Sequence, residues 1–413
     1  MPKVLLLSDF TSAYSRLLLK GFLDYSNETG NWNFYRIPMN REDLQDEKAI
    51  NKIIEIAKRW HADAILGQLS EVNAKKLCIL NIPIVLQNYT NRVDDISNIT
   101  GDYYGTGELA ANYFLRKGFT NFAFYGTTAT VWSREREDGF RTRLAEMGQV
   151  VNVYNEENNI RYESTSNIEN LQTWLLQLPR PTALFACDDI FALRITEVCG
   201  MCNIQVPQDL AVLGVDNDEI LCNMSDPPLS SIVLDVKNGG YLAAKHLHTI
   251  IKERTTIPFN ITIKPIRIER RKSTEGYSVT DKLVKDALQL IENKQNGFIG
   301  VTDLLNNLCV SRRVLEIHFR KETGMSVYQY ILDYRTTCFA EKLLTSEESI
   351  MDIAFQLGYE DYANLSKAFK RIYGMTPTQY RNFYKYGKTN MSIDLKKNKN
   401  NKSQNKEVFN SKT

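Results

Sequence analysis

The sequence lacks a long hydrophobic segment at its start. Its first nine residues contain one lysine and an apolar run of only four residues, 4–7. A membrane-spanning helix needs about 20 apolar residues, and a secretory leader needs a longer apolar segment behind a basic start. We therefore expect no membrane association, and we expect the protein to stay in the cytoplasm.

Cysteine and histidine are sparse. The chain has seven cysteines, an odd number, and four histidines. Cys199 and Cys202 have a zinc-like spacing, but no second cysteine pair or nearby histidine completes a four-ligand site. His246 and His248 stand two positions apart, so they would not share a helical face. We expect reduced, mostly buried thiols, no metal centre and no cofactor.

Sequence motifs of catalysis are missing as well. The chain contains no P-loop, nucleophile elbow or metal-ligand cluster, and no pair of carboxylates in a glycosidase-like setting. These absences argue against an enzyme. The composition, 43% apolar and 24% charged, is typical of a soluble globular protein, and a length of 413 residues predicts two or three domains.

The small net charge of +2 hides an uneven distribution. From residue 281 to the end there are 21 Lys and Arg against 15 Asp and Glu, which gives +6. The whole chain has 51 and 49, so the first 280 residues have 30 against 34, which gives −4. A basic C-terminal part favours nucleic-acid binding, because cations neutralise phosphates.

A helix-turn-helix pattern occupies residues 353–373. An amphipathic helix is followed by Gly358, which permits a left-handed turn, and then by a second amphipathic helix. The residues predicted to face inward are Ile353, Ala354, Leu357, Leu365, Phe369 and Ile372. The second helix would face outward with Tyr362, Ala363, Ser366, Lys367 and Lys370. Such a face offers hydroxyls and cations to a DNA major groove.

The same pattern occurs about fifty residues upstream, over residues 301–326. An apolar helix again leads into a second helix, which begins after Ser311. That second helix would bury Val314, Leu315 and Phe319 and would carry outward Arg312, Arg313, Glu316 and Arg320. One long helix, about residues 327–344, would join the two units. A single unit can occur in any helical domain, but two at this spacing indicate DNA binding.

The two units, with the Leu-Gly-Tyr, Gly-x-Thr-Pro and Tyr-Arg elements of residues 357–381, resemble the DNA-binding domain of the AraC/XylS family of bacterial regulators. The resemblance covers residues 281–386 and implies double-stranded operator DNA as the partner. By match to the family, the residues that face bases are Arg313, Glu316, Ala363 and Lys367. Phosphate contacts, which position a protein without specifying sequence, are assigned to Arg312, Arg320, Lys321, Lys370 and Arg371. A carboxylate such as that of Glu316 fits a groove only if it accepts from a cytosine amino group.

The first 270 residues alternate short β-rich runs with helical patterns. Strands are predicted at 3–7, 33–36, 64–66, 84–86, 121–125, 183–186 and 210–215. Helices are predicted at 12–28, 46–60, 133–147 and 190–199. Such alternation predicts parallel sheets flanked by helices, with enough strands for two lobes. Residues 102–111 also match residues 235–244 at a constant offset of 133, each copy joining an acid, a glycine turn and an alanine-rich helix.

Three motifs in this part resemble the LacI-like periplasmic-binding-protein fold. They are Arg136-x-x-Gly-Phe, the segment 181–189 that ends in two aspartates, and Leu-Gly-Val-Asp-Asn at 213–217. The resemblance covers residues 3–271 and places the repeated segments at chain crossings between lobes, near residues 101 and 234. It implies that Arg136 and Asp216 grip sugar hydroxyls, for which paired, charge-assisted hydrogen bonds are suited.

Three aromatic residues, Tyr14, Tyr104 and Trp132, are candidates to cover the C–H faces of a sugar, and Asp188 is a further candidate ligand contact. Each candidate has a structural alternative. Arg136 lies in a charged run that composition alone would place in a solvated helix start, and Asp216 can be a turn residue. The aromatic residues can belong to the core. Asp188 can instead cap the helix that follows, although Asp189 is the better candidate for that cap or for a partner of Arg136.

The predicted fold is a two-lobed α/β sensor of the LacI-like, periplasmic-binding-protein type (1–271), a linker (272–280), an all-α domain with two helix-turn-helix units (281–386) and a disordered basic tail (387–413). This order resembles sugar-responsive regulators of pentose utilisation. It implies D-xylose as effector, a homodimer, and an activator that contacts RNA polymerase. Arabinose or a hexose as effector, and a carbohydrate enzyme fused to a DNA-binding module, remain alternatives.

Overall fold

The structure is a computed structural model that describes residues 1–8, 10–37, 47–87, 91–156, 165–255, 257–279, 281–292, 299–359, 361–373 and 375–384. It divides the chain into two compact units, Met1–Asp333 and Tyr334–Thr413. The first helix-turn-helix unit therefore falls into the same compact unit as the α/β domain. The tail predicted at 387–413 and the side chain of Ile372 lie outside the described residues.

The α/β domain contains twelve strands among the described residues. They are β1 (Lys3–Leu7), β2 (Asn33–Ile37), β3 (Ala64–Gly67), β4 (Ile84–Gln87), β5 (Ser97–Gly101), β6 (Phe122–Thr127), β7 (Val151–Glu156), β8 (Thr182–Ala186), β9 (Leu210–Val215), β10 (Ser230–Leu234), β11 (Asn260–Ile263) and β12 (Pro265–Glu269). The helices are α1 (Ala13–Thr29), α2 (Glu47–Trp60), α3 (Glu71–Leu77), α4 (Tyr103–Arg116), α5 (Val131–Ala145), α6 (Thr165–Gln177), α7 (Asp189–Met201), α8 (Glu219–Met224) and α9 (Val236–Glu253).

The strands form two six-stranded sheets, one in each lobe. The first has the order β11-β5-β4-β3-β1-β2 and is parallel throughout, and the second has the order β12-β10-β9-β8-β6-β7. In the second sheet only β12 runs antiparallel, against β10. Strands β3, β8 and β9 are buried along their whole length, as expected for parallel sheets covered by helices on both faces. The predicted two-lobed α/β fold is confirmed.

The chain crosses between the lobes at three places, through α4, through α9 and at Lys264 between β11 and β12. The repeated segments stand at the first two crossings. The amide of Asp102 donates to the Ile263 carbonyl at 2.8 Å, and that of Asp235 donates to Lys264 at 3.0 Å. The third crossing is therefore hydrogen-bonded to both of the others.

Each crossing helix packs very closely on one lobe. A methyl group added to Gly107 of α4 would lie 2.2 Å from the Arg136 carbonyl oxygen of α5. The equivalent Gly240 of α9 would meet the Leu18 carbonyl oxygen of α1 at 2.1 Å. Any residue larger than glycine would separate the two helices of a pair, so glycine at these positions permits the close packing.

Residues 272–279, within the segment expected to be a linker, lie on the α/β domain. Ser273 and Thr274 are buried. The Ser273 hydroxyl donates to the Val212 carbonyl of β9 at 2.7 Å, and the hydroxyls of Thr274 and Tyr113 lie 2.8 Å apart. These side-chain bonds fix the segment in place, although its polar composition is typical of a flexible connection.

The C-terminal helices are α10 (Lys282–Glu292), α11 (Val301–Leu308), α12 (Arg312–Thr323), α13 (Val327–Thr345), α14 (Ile350–Gln356), α15 (Tyr362–Tyr373) and α16 (Pro377–Tyr384). The two predicted helix-turn-helix units, α11–α12 and α14–α15, and the long joining helix α13 are confirmed. Gly358 adopts the predicted left-handed turn with φ 72°, and Cys309 takes the same conformation in the first unit with φ 53°. No helix within the described ranges is long and apolar enough to span a membrane.

Candidate effector site and nucleic-acid interface

An ion pair between a buried arginine and a half-buried aspartate lies at the carboxyl ends of the strands in the second lobe. Arg136 of α5 is 2% exposed, and its Nη1 donates to the Cys187 carbonyl just after β8. Its Nη2 lies 3.5 Å from Oδ1 of Asp216, a distance at which opposite charges attract but no good hydrogen bond forms. Within the described part of the chain, Arg136 Nε and Asp216 Oδ1 are buried without a hydrogen-bond partner.

The backbone at Asp216 is strained. This residue follows β9 with φ 98°, and Asn217 has φ 50°, values that residues other than glycine rarely adopt. Such conformations cluster at functional sites, because the surrounding structure must hold them in place. Burial raises the pKa of Asp216 to about 6, against the opposing effect of Arg136. At neutral pH the carboxylate is mostly ionised, and its negative charge faces a guanidinium it does not fully engage.

Two tyrosines approach the ion pair from the other lobe and from the crossing. Tyr14 of α1 has a buried hydroxyl with no hydrogen-bond partner among the described residues. Burial, with nearby Tyr103 and Asp216, holds its pKa well above the usual value, so the hydroxyl is a neutral donor. Tyr103, the first residue of α4, places its ring centroid 5.5 Å from the Arg136 guanidinium carbon. We call the place between the lobes where these side chains meet the cleft; it combines two charged groups with two aromatic rings.

The remaining candidate cleft residues are placed differently. Asp188 caps α7, because its Oδ1 accepts from the amides of Ile190 and Phe191, each at 3.0 Å. Asp189 is neither the cap nor a partner of Arg136. Instead its buried carboxylate accepts from the Ser231 hydroxyl at 2.6 Å and from the Asp218 amide at 2.7 Å. It thereby connects α7 to strand β10 and to the loop after β9.

Trp132 is half-buried in the first turn of α5, and Tyr104 is 39% exposed. The Tyr104 carbonyl, rather than its ring, faces α5, where a methyl group on Gly139 would meet it at 2.1 Å. Of the two neighbouring tyrosines at the start of α4, Tyr103 is the one whose ring approaches Arg136. Tyr103 was missed by the sequence analysis. Asp102 caps α4, and this position of the cap would have shown that Tyr103 is the first residue of the helix.

The two recognition helices, α12 and α15, have equivalent frameworks. Residues fifty positions apart correspond, and Leu315 and Phe319, like Leu365 and Phe369, are buried as predicted. Ser311 caps α12 by accepting from the Val314 amide at 3.4 Å, and the Asp361 carboxylate accepts from the Ala363 amide at 2.7 Å. The expected burial of Val314 is wrong, because its side chain is 42% exposed.

The predicted DNA-facing residues are mostly at the surface. Those exposed are Arg312, Arg313, Arg320, Lys321, Ala363, Lys367, Lys370 and Arg371, whereas Tyr362 and Ser366 are half-buried. Glu316 is the exception in the first unit. Its side chain is 20% exposed and its Oε2 lies 3.6 Å from Arg320 Nε, so the carboxylate is turned toward its own helix.

Sequence reasoning missed two further exposed positions on these helices. Ile317 is 57% exposed and corresponds to Lys367, while the exposed Asn364 corresponds to Val314. The fifty-residue offset between the buried leucines and phenylalanines would have identified both. An apolar side chain in the middle of α12 can contact a thymine methyl group, and an asparagine on α15 can pair with an adenine edge.

The Tyr-Arg element of the signature has a structural role in the second unit. Arg381 is buried and donates through Nε to the Leu343 carbonyl at 3.0 Å and through Nη1 to the Glu348 carbonyl at 2.6 Å. It thereby satisfies the carbonyl groups at the end of α13 and before α14. Tyr380 packs edge-on against Phe369 with ring centroids 5.2 Å apart.

Comparison with known proteins matches two parts of the chain to family models. Residues 111–274 match the periplasmic binding protein-like domain, and residues 304–382 match a helix-turn-helix domain. The chain is 28% identical over 388 residues to the xylose operon regulatory protein of Escherichia coli strain K12, with 92% of this chain and 96% of the relative covered.

A second relative is the xylose operon regulatory protein of Haemophilus influenzae, 30% identical over 289 residues, with 68% of this chain and 74% of the relative covered. Among solved structures, that of the xylose-binding transcription activator XylR is 27% identical with a TM-score of 0.57. The match covers 92% of this chain and 97% of the chain in that structure. These relatives are transcription regulators rather than enzymes.

Proposed function

We propose, on the premise that this chain belongs to the family of xylose operon regulatory proteins, that D-xylose binds between its lobes and controls how its two helix-turn-helix units engage operator DNA. As a member of that family the chain is a transcription regulator, and its C-terminal part is a helix-turn-helix DNA-binding domain.

The observation that carries the effector site is the set of buried polar atoms left without partners in the described structure. Arg136 Nε, Asp216 Oδ1 and the Tyr14 hydroxyl converge from two lobes. Each such atom costs about 1–3 kcal/mol when nothing bonds to it. Adjacent sugar hydroxyls both donate and accept, so one pyranose can satisfy a guanidinium, a carboxylate and a phenol together.

The charges also restrict the class of ligand. An anionic effector would be attracted by Arg136 but repelled by Asp216, and a cation would meet the opposite balance. A neutral polyhydroxylated molecule avoids both penalties, and the rings of Tyr14 and Tyr103 can cover its C–H faces. Asp188 fits the role of a neighbouring carboxylate that adjusts the field at Asp216. The geometry favours Tyr103 over Tyr104 as the aromatic contact, and Trp132 remains a candidate.

Effector binding would act through lobe closure. Tyr14 belongs to the first lobe, and Arg136 and Asp216 belong to the second, so a ligand that contacts all three prefers the closed arrangement. A ligand shifts such an equilibrium only by its preference for one state. We further propose that the protein works in the cytoplasm as a homodimer and activates transcription by contact with RNA polymerase, as the resemblance implies.

For DNA, we propose that Arg313 and Lys367 read bases, helped by Ile317 and Asn364. Arg312, Arg320, Lys321, Lys370 and Arg371 would neutralise phosphates. Tyr362, Ala363 and Ser366 would contribute contacts along α15. Glu316, held toward Arg320, is better suited to orient that arginine than to meet a cytosine.

A thermal-shift panel tests the effector. D-xylose, L-arabinose, D-ribose and D-glucose are added to the full chain and to Asp216→Asn, a near-isosteric control that lacks the charge. At a concentration of 100 times Kd, a true effector stabilises the folded state by about 2.7 kcal/mol. Stabilisation of the wild type, but not of Asp216→Asn, by D-xylose supports the proposal. Stabilisation by another sugar only would change the effector, and no stabilisation by any sugar would exclude this site. Recovery of unchanged sugar after incubation distinguishes a sensor from an enzyme.

A further inference from the structure

A largely buried carboxylate outside the cleft joins the sensor to the helices of the first helix-turn-helix unit. Glu292 ends α10, and 18% of its side chain is exposed. The Tyr330 hydroxyl of α13 donates to Glu292 Oε1 at 2.9 Å. Arg270, which directly follows β12 of the sensor, brings Nη1 to 3.6 Å from Oε2. One side chain therefore contacts both the reading part and the sensing part of the same compact unit.

Lys117 and Tyr277 lie beside these three residues. We name the five residues together the Glu292 cluster: Glu292, Arg270, Tyr330, Lys117 and Tyr277. Lys117 is buried at the end of α4, donates to the Gly276 carbonyl at 3.1 Å and lies 4.7 Å from the Tyr277 ring centroid. Burial alone would raise the pKa of Glu292, but Lys117, Arg270 and the two tyrosine hydroxyls hold it below the usual value. The carboxylate is thus charged, and both cations come from the sensor.

Helix α4 connects this cluster to the effector cleft. It begins with Tyr103, whose ring faces Arg136, and it ends at Arg116, directly before Lys117. With 14 residues it spans about 21 Å. The close packing of Gly107 on the Arg136 carbonyl prevents α4 from sliding on α5. A displacement of Arg136 and Tyr103 on effector binding would therefore be passed along this closely packed helix pair to Lys117.

We propose that Glu292 is a positioning residue that fixes the first helix-turn-helix unit on the sensor, and that α4 transmits the state of the cleft to it. The inference rests on the proposed function, because it assumes an effector that acts in the cleft. Two sites become coupled when both bias one shared element, and the Glu292 cluster is the shared element here. Removing the charge of Glu292 should leave the effector site and the DNA-binding site intact but should abolish the coupling between them.

The test uses the full chain with Glu292→Gln and, from the sensor side, Arg270→Met. The matched control is Asp286→Asn, which removes a carboxylate from the same helix. D-xylose affinity is measured by calorimetry. Affinity for an operator sequence that was selected by binding to the wild-type protein is measured by fluorescence anisotropy, with and without D-xylose. Coupling between sites is typically about 5- to 150-fold.

In both variants we expect the ratio of DNA affinities with and without D-xylose to fall to within about twofold of one. D-xylose should still bind with an affinity within about threefold of wild type, and the double variant should show no further loss, since residues in contact are not additive. The control should keep the wild-type ratio. A wild-type ratio in Glu292→Gln would overturn the inference.

Hydrogen exchange provides a readout that needs no sugar. In the ligand-free chain, Glu292→Gln should speed exchange of residues 282–292 relative to wild type and Asp286→Asn, because the anchored helix loses its contact with the sensor. If the wild type fails to respond to D-xylose, the proposed effector is wrong, and this measurement still decides the role of Glu292. Unchanged exchange would refute the anchor.

Discussion

Charged residues of the same types are used in opposite ways in the effector cleft and on the recognition helices. In the cleft, Arg136 and Asp216 are largely withdrawn from solvent, lie on strained or tightly packed backbone and leave polar atoms without partners among the described residues. On α12 and α15, Arg313 and Lys367 stand in solvent on regular helix. A buried charge depends on a few short contacts, whereas an exposed charge acts at longer range and is screened by salt.

This difference separates what each region can recognise. The cleft can discriminate between small neutral ligands, because any atom out of place leaves a desolvated group unsatisfied. The recognition helices can attract any DNA through phosphates, and they select among sequences only where a side chain reaches a base. We therefore expect variants in the cleft to produce large, specific losses and variants on the helices to produce smaller, graded and salt-dependent ones.

Arg136→Met gives the sharpest test of the cleft. It removes the guanidinium but retains an apolar side chain, and it leaves the half-buried Asp216 without its cation. One charge-assisted hydrogen bond, from Nε to the sugar, contributes about 1.5–3 kcal/mol, which corresponds to a loss of effector affinity of at least about tenfold. Calorimetry with D-xylose measures the loss. Operator affinity without sugar should stay within about threefold of wild type, and sugar binding of wild-type strength would remove Arg136 from the site.

Asp235 extends the comparison to a buried carboxyl at the second crossing. Burial raises its pKa to about 8 from an ordinary value of 3.8. The folded state therefore prefers the protonated form, so this group lowers stability as pH rises from about 4 to 8. Asp235→Asn mimics the neutral acid and should raise the free energy of unfolding at pH 7 by on the order of 4 kcal/mol, with no gain near pH 4.

Urea unfolding of wild type and Asp235→Asn at pH 4, 5, 6, 7 and 8 measures this effect. The difference between the two proteins should grow with pH across that window. Asp102→Asn, at the equivalent position of the repeated segment, is the matched control. A gain that is the same at every pH would show that the asparagine acts through packing and not through the carboxyl charge.

How far the sequence predicted these regions depended on local patterning. Strands such as β1 and β9 are continuous apolar runs, and the two helix-turn-helix units have helical periodicity with capping residues, so both were predictable. Strand β5, Ser-Asn-Ile-Thr-Gly, was not, because it pairs with the equally polar and distant β11 (Asn260–Ile263). Tertiary pairing, and not local propensity, makes these segments strands.

The cleft was predictable only where a motif marks it. Arg136 and Asp216 stand in recognisable motifs, and the structure brings them together. Tyr103 was missed because a shift of one residue at a helix start rotates a side chain by about 100°. Glu292 was missed because α10 carries no local sign of the sensor residues, Arg270 and Lys117, that surround its carboxylate.

On the recognition helices, Arg313→Ala should show the largest effect. A bidentate contact of arginine to a guanine edge contributes about 1–3 kcal/mol of discrimination, so the native operator should bind roughly 5- to 150-fold more weakly. On a panel of operators with single base changes, the variant should bind all four bases at one position with equal affinity. Arg312→Ala, the exposed neighbour, is the matched control and should weaken all sequences alike. An unchanged preference in Arg313→Ala would assign base reading to other residues, with Ile317 the next candidate.

The smallest expected effect distinguishes the two recognition helices. Lys370 and Arg320 occupy equivalent positions, but Arg320 lies 3.6 Å from the Glu316 carboxylate, which already offsets part of its charge. Each phosphate contact that is lost makes the dependence of log affinity on log salt shallower by about 0.9. Lys370→Gln should show this change fully and should weaken operator and unrelated DNA equally. Arg320→Gln should show less of this change. When Glu316→Gln is already present, Arg320 is no longer offset by the carboxylate. Adding Arg320→Gln to that variant should therefore produce the full change in slope. Equal slopes for Lys370→Gln and wild type would mean that Lys370 does not contact a phosphate.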